Sequence, residues 1–210
     1  MLDLSKLIQR VKPSPTLAAS ARAQELKAQG RDIISLTVGE PDMDTPQHVK
    51  DAAVEALNKG LTKYTAAGGM PALKKVICEK FQRDQGAAYT PQQIVVTNGG
   101  KQALAATCAV LLNPGDEVII PAPYWTSYPD MVMMAGGEPK IVETSPNNGY
   151  LMTPEAFKAA ITDRTKMVII NSPSNPTGGC YSADDLKALA EVIKSIPGGD
   201  KICIVSDEVY

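Results

Sequence analysis

The sequence predicts an α/β protein built on a mostly parallel open sheet with helices on both faces. Three observations carry that prediction. From Gln93 onward, short β-branched runs alternate with longer segments of helical period. Several of those runs lack polar alternation, as expected of strands buried on both faces. The chain's 210 residues, 44% hydrophobic and 21% charged, are globular proportions at a length sufficient for a sizeable core.

Five runs read as strands: Ile94-Val95-Val96-Thr97, Val118-Ile119-Ile120, Lys140-Ile141-Val142-Glu143, Met167-Val168-Ile169-Ile170 and Ile202-Cys203-Ile204-Val205. The helices carry their own punctuation. Thr45-Pro46 opens one with Val49, Ala53 and Leu57 on a stripe, and Gly60 fits the residue after its end. Pro71 opens another, with Leu73, Val76, Ile77 and Phe81 on one face. Further helices are expected over residues 102–112, after Thr153-Pro154, and after Ser182-Ala183-Asp184-Asp185, which reads as a capping box ahead of Leu186, Leu189 and Ile193.

Before Gly60 the pattern differs. Lys12-Pro13-Ser14-Pro15 leads into a short helix ending near Gly30, then a strand-like Ile33-Ile34-Ser35-Leu36 and the turn-rich Gly39-Glu40-Pro41-Asp42. Residues 1–45 read as an N-terminal arm and part of a smaller domain, and residues 46–210 as the N-terminal part of a larger one.

Charge and composition narrow the function. Lys and Arg number 21 against 23 Asp and Glu, a formal charge of −2 with no long run of either sign, which argues against a nucleic-acid or polybasic membrane surface. Apolar stretches such as Met167-Val168-Ile169-Ile170 fall far short of the roughly 20 residues that span a bilayer. Met1-Leu2-Asp3-Leu4-Ser5-Lys6 has no basic region followed by an apolar run, so a soluble cytoplasmic protein is expected. Cys78, Cys108, Cys180 and Cys203 are scattered and read as reduced, partly buried thiols. His48 is the single histidine, so neither a His-containing zinc cluster nor a Ser-His-Asp triad can be assembled, and no metal site is expected.

In open parallel sheets ligands bind beyond the carboxyl ends of the strands, and four such places stand out. Asn98-Gly99-Gly100-Lys101 opens a helix, where two glycines let backbone N–H groups approach a phosphate and Lys101 adds charge; a tight strand-to-helix turn is the bland alternative. Pro121-Ala122-Pro123-Tyr124-Trp125-Thr126-Ser127-Tyr128 gathers the only Trp with two Tyr, offering an aromatic face to a planar ligand or simply packing the core. Asn171-Ser172-Pro173-Ser174-Asn175-Pro176-Thr177-Gly178-Gly179 is a long polar loop that aims the Asn175 amide at a ligand oxygen or forms an ordinary Asn-Pro turn. Ser206-Asp207-Glu208-Val209-Tyr210 puts carboxylates directly after an apolar strand, which suits a ligand cation such as a protonated ring nitrogen or a solvated strand end.

Together these segments resemble the class I aminotransferases, pyridoxal-phosphate enzymes of fold type I, and within them the bacterial aspartate aminotransferase branch. Gly39-Glu40-Pro41-Asp42, Lys63-Tyr64-Thr65 and Gly68-Gly69-Met70-Pro71 add to the match, which runs along the whole chain. The resemblance implies that Gly99, Gly100 and Lys101 cradle the phosphate of pyridoxal 5'-phosphate, that Trp125 covers its ring and borders the substrate, and that Asp207 pairs with the ring nitrogen. It implies further that Asn175 and Tyr210 hydrogen-bond the phenolic oxygen, and that Asn175 and Gly39 meet the substrate carboxylate. Tyr64 matches a tyrosine that reaches the phosphate of the neighbouring subunit, implying a homodimer with shared active sites.

The implied substrates are amino acids and 2-oxo acids, with aspartate and 2-oxoglutarate foremost and prephenate as another acceptor. A different fold type I activity, aromatic aminotransferase or carbon-sulfur lyase, remains open, as does a non-catalytic phosphate-binding module. The Schiff-base lysine of the family is expected after Tyr210, so no catalytic residue is assigned within these 210 residues. The chain is thus read as the N-terminal half of a longer enzyme, inactive alone.

Overall fold

The computed structural model describes residues 2–37 and 39–210; Met1 and Val38 lie outside the described residues. The chain divides into two compact units, one of Met1–Lys12 with Gly99–Tyr210 and the other of Pro13–Asn98. Each is described on its own.

The first unit is built on a parallel sheet of four strands, β1 (Glu117–Ala122), β2 (Glu138–Glu143), β3 (Thr165–Asn171) and β4 (Cys203–Asp207), in the order β2-β1-β3-β4. Helices α4 (Gly100–Leu111), α5 (Ser127–Met134), α6 (Pro154–Ala160) and α7 (Ala183–Ser195) cover it. Alternate side chains of the central strands feed two cores, because successive residues of a strand point to opposite faces. On one face Val118, Ile120, Met167 and Ile169 pack against Cys108 of α4 and Tyr128 and Val132 of α5. On the other, Ile119, Val168 and Ile170 pack against Phe157 of α6 and Leu189 of α7.

That distribution follows from chain direction. The step from β1 to β2 moves one way across the sheet, and those from β2 to β3 and β3 to β4 move the other way. Right-handed crossovers then put α5 on one face and α6 and α7 on the other. The direction reverses between β1 and β3, which is where open α/β sheets form their ligand crevice.

Local signals start the helices where the sequence places them. Thr153 caps α6 by accepting from the Ala156 N–H, and Ser182 and Asp185 form a reciprocal capping box at α7. At the amino ends of the strands, buried Glu117 accepts from the Thr162 hydroxyl at 2.7 Å and from Arg164 at 2.5 Å, with Lys140 Nζ at 3.6 Å.

The second unit holds α1 (Pro15–Ala28), α2 (Gln47–Asn58) and α3 (Pro71–Gln85). Two expected strands are absent among its described residues. Residues 33–36 and 94–97 belong to no strand, because a β ladder needs a partner and here Val96 gives its N–H to the Gly68 carbonyl at 3.0 Å. Gly69 sits against that contact: a Cβ there would meet Val96 Cγ2 at 2.5 Å, and its φ of +105° favours glycine. The expected stripe residues Val49 and Leu57 of α2 stay exposed. The cysteines are free thiols; Cys108 is buried, Cys78 and Cys203 are half-buried, and Cys180, expected to be partly buried, is exposed.

Candidate active site

Beyond the carboxyl ends of β1, β3 and β4 lies a cavity of ≈ 300 Å³, within the first unit. Gly100, Lys101, Trp125, Asn175, Asp207 and Tyr210 all line it. Six residues singled out from four separate loops are therefore brought to one place.

One wall is the start of α4. Gly99 occupies the N-cap position with φ of +88°, a left-handed conformation that L side chains rarely adopt, and nothing lies within 4 Å of a Cβ built on Gly99 or Gly100. Neither glycine carries a side chain over the start of the helix, where the dipole is positive. Lys101 Nζ stands 4.9 Å from the centre of the Trp125 ring.

Trp125 is held in turn by Tyr128, their rings edge to face at 5.5 Å between centroids. Tyr128 is 2% exposed and donates its hydroxyl to Asp207 Oδ2 at 2.5 Å. Burial first, then the hydrogen bond and charge of Asp207, push the Tyr128 phenol well above its ordinary value, so it stays a donor.

The opposite wall is the loop after β3. The Asn175 N–H donates to Asn171 Oδ1 at 2.7 Å, and Asn175 Nδ2 donates to the Tyr210 hydroxyl at 3.1 Å. Asn171 Nδ2 donates to the Asp207 carbonyl at 2.9 Å. Tyr210, accepting from Asn175, keeps its own proton for a further acceptor.

These contacts make a cavity with the start of α4 at one end, an aromatic wall, a carboxylate and a pair of linked polar tips. Such a set suits a planar ligand with a phosphate and a cationic ring atom. The sequence matches the family model described as aminotransferase class I and II over residues 31–210. The chain belongs to that family.

Members of the class I and II aminotransferases resemble this chain along its whole length. It is 54% identical over 210 residues to an aspartate/prephenate aminotransferase of Cereibacter sphaeroides, covering 100% of this chain and 52% of that protein. It is 54% identical over 209 residues to an aspartate aminotransferase of Geobacillus stearothermophilus, again 100% of this chain and 52% of the relative. The solved structure of Thermus thermophilus aspartate aminotransferase with maleate superposes with a TM-score of 0.94 at 49% identity, covering 100% of this chain and 54% of that one. The chain spans about half the length of the curated relatives it matches. The family as a whole implies pyridoxal phosphate.

Two expected site residues, Gly39 and Tyr64, fall in the other unit, where both are exposed and Tyr64 lies in a loop of residues 62–65 that lines a separate surface hollow. Among the described residues no helix is long and apolar enough to cross a membrane. Tyr128 and Asn171 were visible in the sequence only as members of their loops. The spacing of Tyr128 three residues after Trp125, one helical turn, is the signal that could have paired them.

Proposed function

We propose that this chain is the N-terminal half of a pyridoxal-phosphate-dependent aminotransferase that moves the amino group of L-aspartate to 2-oxoglutarate, with prephenate as a further acceptor. The observation that carries the reading is the Asp207 carboxylate, anchored by Tyr128 and facing the same cavity as the glycine-lined start of α4.

The residues present fit the cofactor. The open space over Gly99 and Gly100 is a cradle that a Cβ would fill, and the backbone there, with Lys101, would hold the phosphate. Trp125 would cover the ring, Asp207 would hold the proton on the ring nitrogen, and Asn175 with Tyr210 would donate to the phenolic oxygen. Bound pyridoxal phosphate supplies an electron sink for the loss of the substrate Cα proton. Asp207 would serve that chemistry because a carboxylate beside the ring nitrogen favours its protonated form.

Trp125 would border the substrate, and Asn175 and Gly39 would meet the substrate carboxylate. Residues 1–45 would form the N-terminal arm with part of the small domain, and residues 46–210 the N-terminal part of the large domain. The lysine that binds the cofactor covalently would follow Tyr210. A cytoplasmic homodimer, with Tyr64 reaching the neighbouring subunit's phosphate, completes the proposal.

The test is a steady-state assay of the complete protein with 2-oxoglutarate as acceptor. Aspartate should give a higher kcat/KM than tyrosine, and cystathionine should yield no carbon-sulfur cleavage. Preference for tyrosine, or cleavage of cystathionine, would overturn the substrate assignment.

A further inference from the structure

One side chain ties the two halves of this site together. Asn171 is the last residue of β3 and stands opposite Asp207, the last of β4, in the parallel register. Its Oδ1 accepts from the Asn175 N–H at 2.7 Å, while its Nδ2 donates to the Asp207 carbonyl at 2.9 Å. That carbonyl also accepts from the Ser172 N–H at 3.3 Å, so both of its lone pairs are engaged. The Asn175 side chain then reaches Tyr210 at 3.1 Å.

We propose that Asn171 is a positioning residue that ties the Asn175 backbone to the Asp207 carbonyl, fixing the direction in which the Asn175 amide points beside the Tyr210 hydroxyl. The assignment rests on the functional reading above, since it takes the phenolic oxygen of the cofactor as the group those two side chains address. An amide suits the task because one planar group must accept and donate at once. Serine and leucine cannot span both partners, aspartate puts an oxygen against the Asp207 carbonyl, and glutamine is a methylene too long. The loop from Ser172 to Gly179 has no ladder of its own to fix Asn175, whose backbone N–H is spoken for by Asn171 instead.

The consequence is measurable without turnover. Donors aimed at the phenolic oxygen stabilise its ionised form and keep low the pH at which the bound cofactor's absorbance changes band. Asn171→Ala in the complete protein, loaded with pyridoxal phosphate, should raise that midpoint by about 0.5 pH unit or more, in the same direction as Asn175→Ala. The double variant should shift no further than Asn175→Ala alone, because both changes act through one group. Asn171→Ser, a milder change with a hydroxyl too short to bridge both partners, should reproduce the shift if the alanine variant folds poorly.

Wild-type protein that takes up no pyridoxal phosphate would sink the functional reading and this assignment with it. A wild type that titrates, with Asn175→Ala shifted and both Asn171 variants unshifted, would overturn the role of Asn171 alone. Shifts that add in the double variant would do the same.

Discussion

The Tyr128 hydroxyl donates to Asp207 Oδ2 at 2.5 Å across 79 residues of sequence. This bond joins the start of α5 to the carboxyl end of β4 beside the cavity. It engages one oxygen of the Asp207 carboxylate, and Asp207 lines the cavity.

Removing the hydroxyl tests what that bond does. Tyr128→Phe keeps the ring packed against Trp125 but takes away a donor to a charged acceptor, a loss of about 1.5–3 kcal/mol. In the complete protein kcat should fall about tenfold or more, with the fold intact by circular dichroism. Unchanged kcat would show that Asp207 needs no such support.

The same phenol has an alkaline signature. Its ordinary value is 10.0, and burial with Asp207 holds the folded value well above that. Above pH 10 the unfolded chain gives up this proton while the folded chain keeps it, so the contribution is present in full below pH 10 and is lost as pH rises. Tyr128→Phe should flatten the fall in stability by at most about 1.4 kcal/mol per pH unit, measured by denaturant titration between pH 10 and 11. Tyr181, also raised by burial, keeps some slope in the variant.

Glu117 makes the opposite prediction at the other end of the sheet. The Thr162 hydroxyl first, then Lys140 and Arg164, hold its carboxyl below the ordinary 4.5 against the cost of burial. Its contribution is therefore present above pH 4.5 and lost as pH falls through the lowered folded value. Glu117→Gln should cost about 1–3 kcal/mol at pH 7 and less at pH 3, because its polar partners lose a charged acceptor. Lying at the amino ends of the strands, it should leave cofactor affinity unchanged in protein that folds, as read by absorbance titration.

Much of this architecture was legible because β-branched runs without polar alternation mark strands buried on both faces. Val118, Ile119, Met167 and Val168 are all buried as that pattern requires. Residues 94–97 carry the same composition and form no strand, since pairing depends on a neighbour that composition does not specify. The candidate site was legible where tryptophan, asparagine and aspartate lie at or beyond strand ends, whereas Gly99 and Gly100 follow residues 94–97, which form no strand, and were legible as a helix start. The supporting residues were not, because Tyr128 acts on a partner 79 residues away and Asn171 on one 36 residues away.

Lys101 gives a separable test of the phosphate end. Its ammonium stands by the open start of α4, so Lys101→Ala should weaken pyridoxal phosphate binding about tenfold or more while leaving kcat of the loaded protein nearly unchanged. Equilibrium absorbance titration measures the first and steady-state assay the second. A variant with wild-type affinity would remove Lys101 from the contacts of the phosphate.

The most direct test of the account is Asp207→Ala in the complete protein, compared with wild type for both cofactor affinity and turnover of L-aspartate with 2-oxoglutarate. The account predicts that pyridoxal phosphate still binds through the α4 cradle while kcat falls by about 10²-fold or more, because the charge that holds the ring proton is gone. Turnover comparable to wild type would contradict the central role given to Asp207.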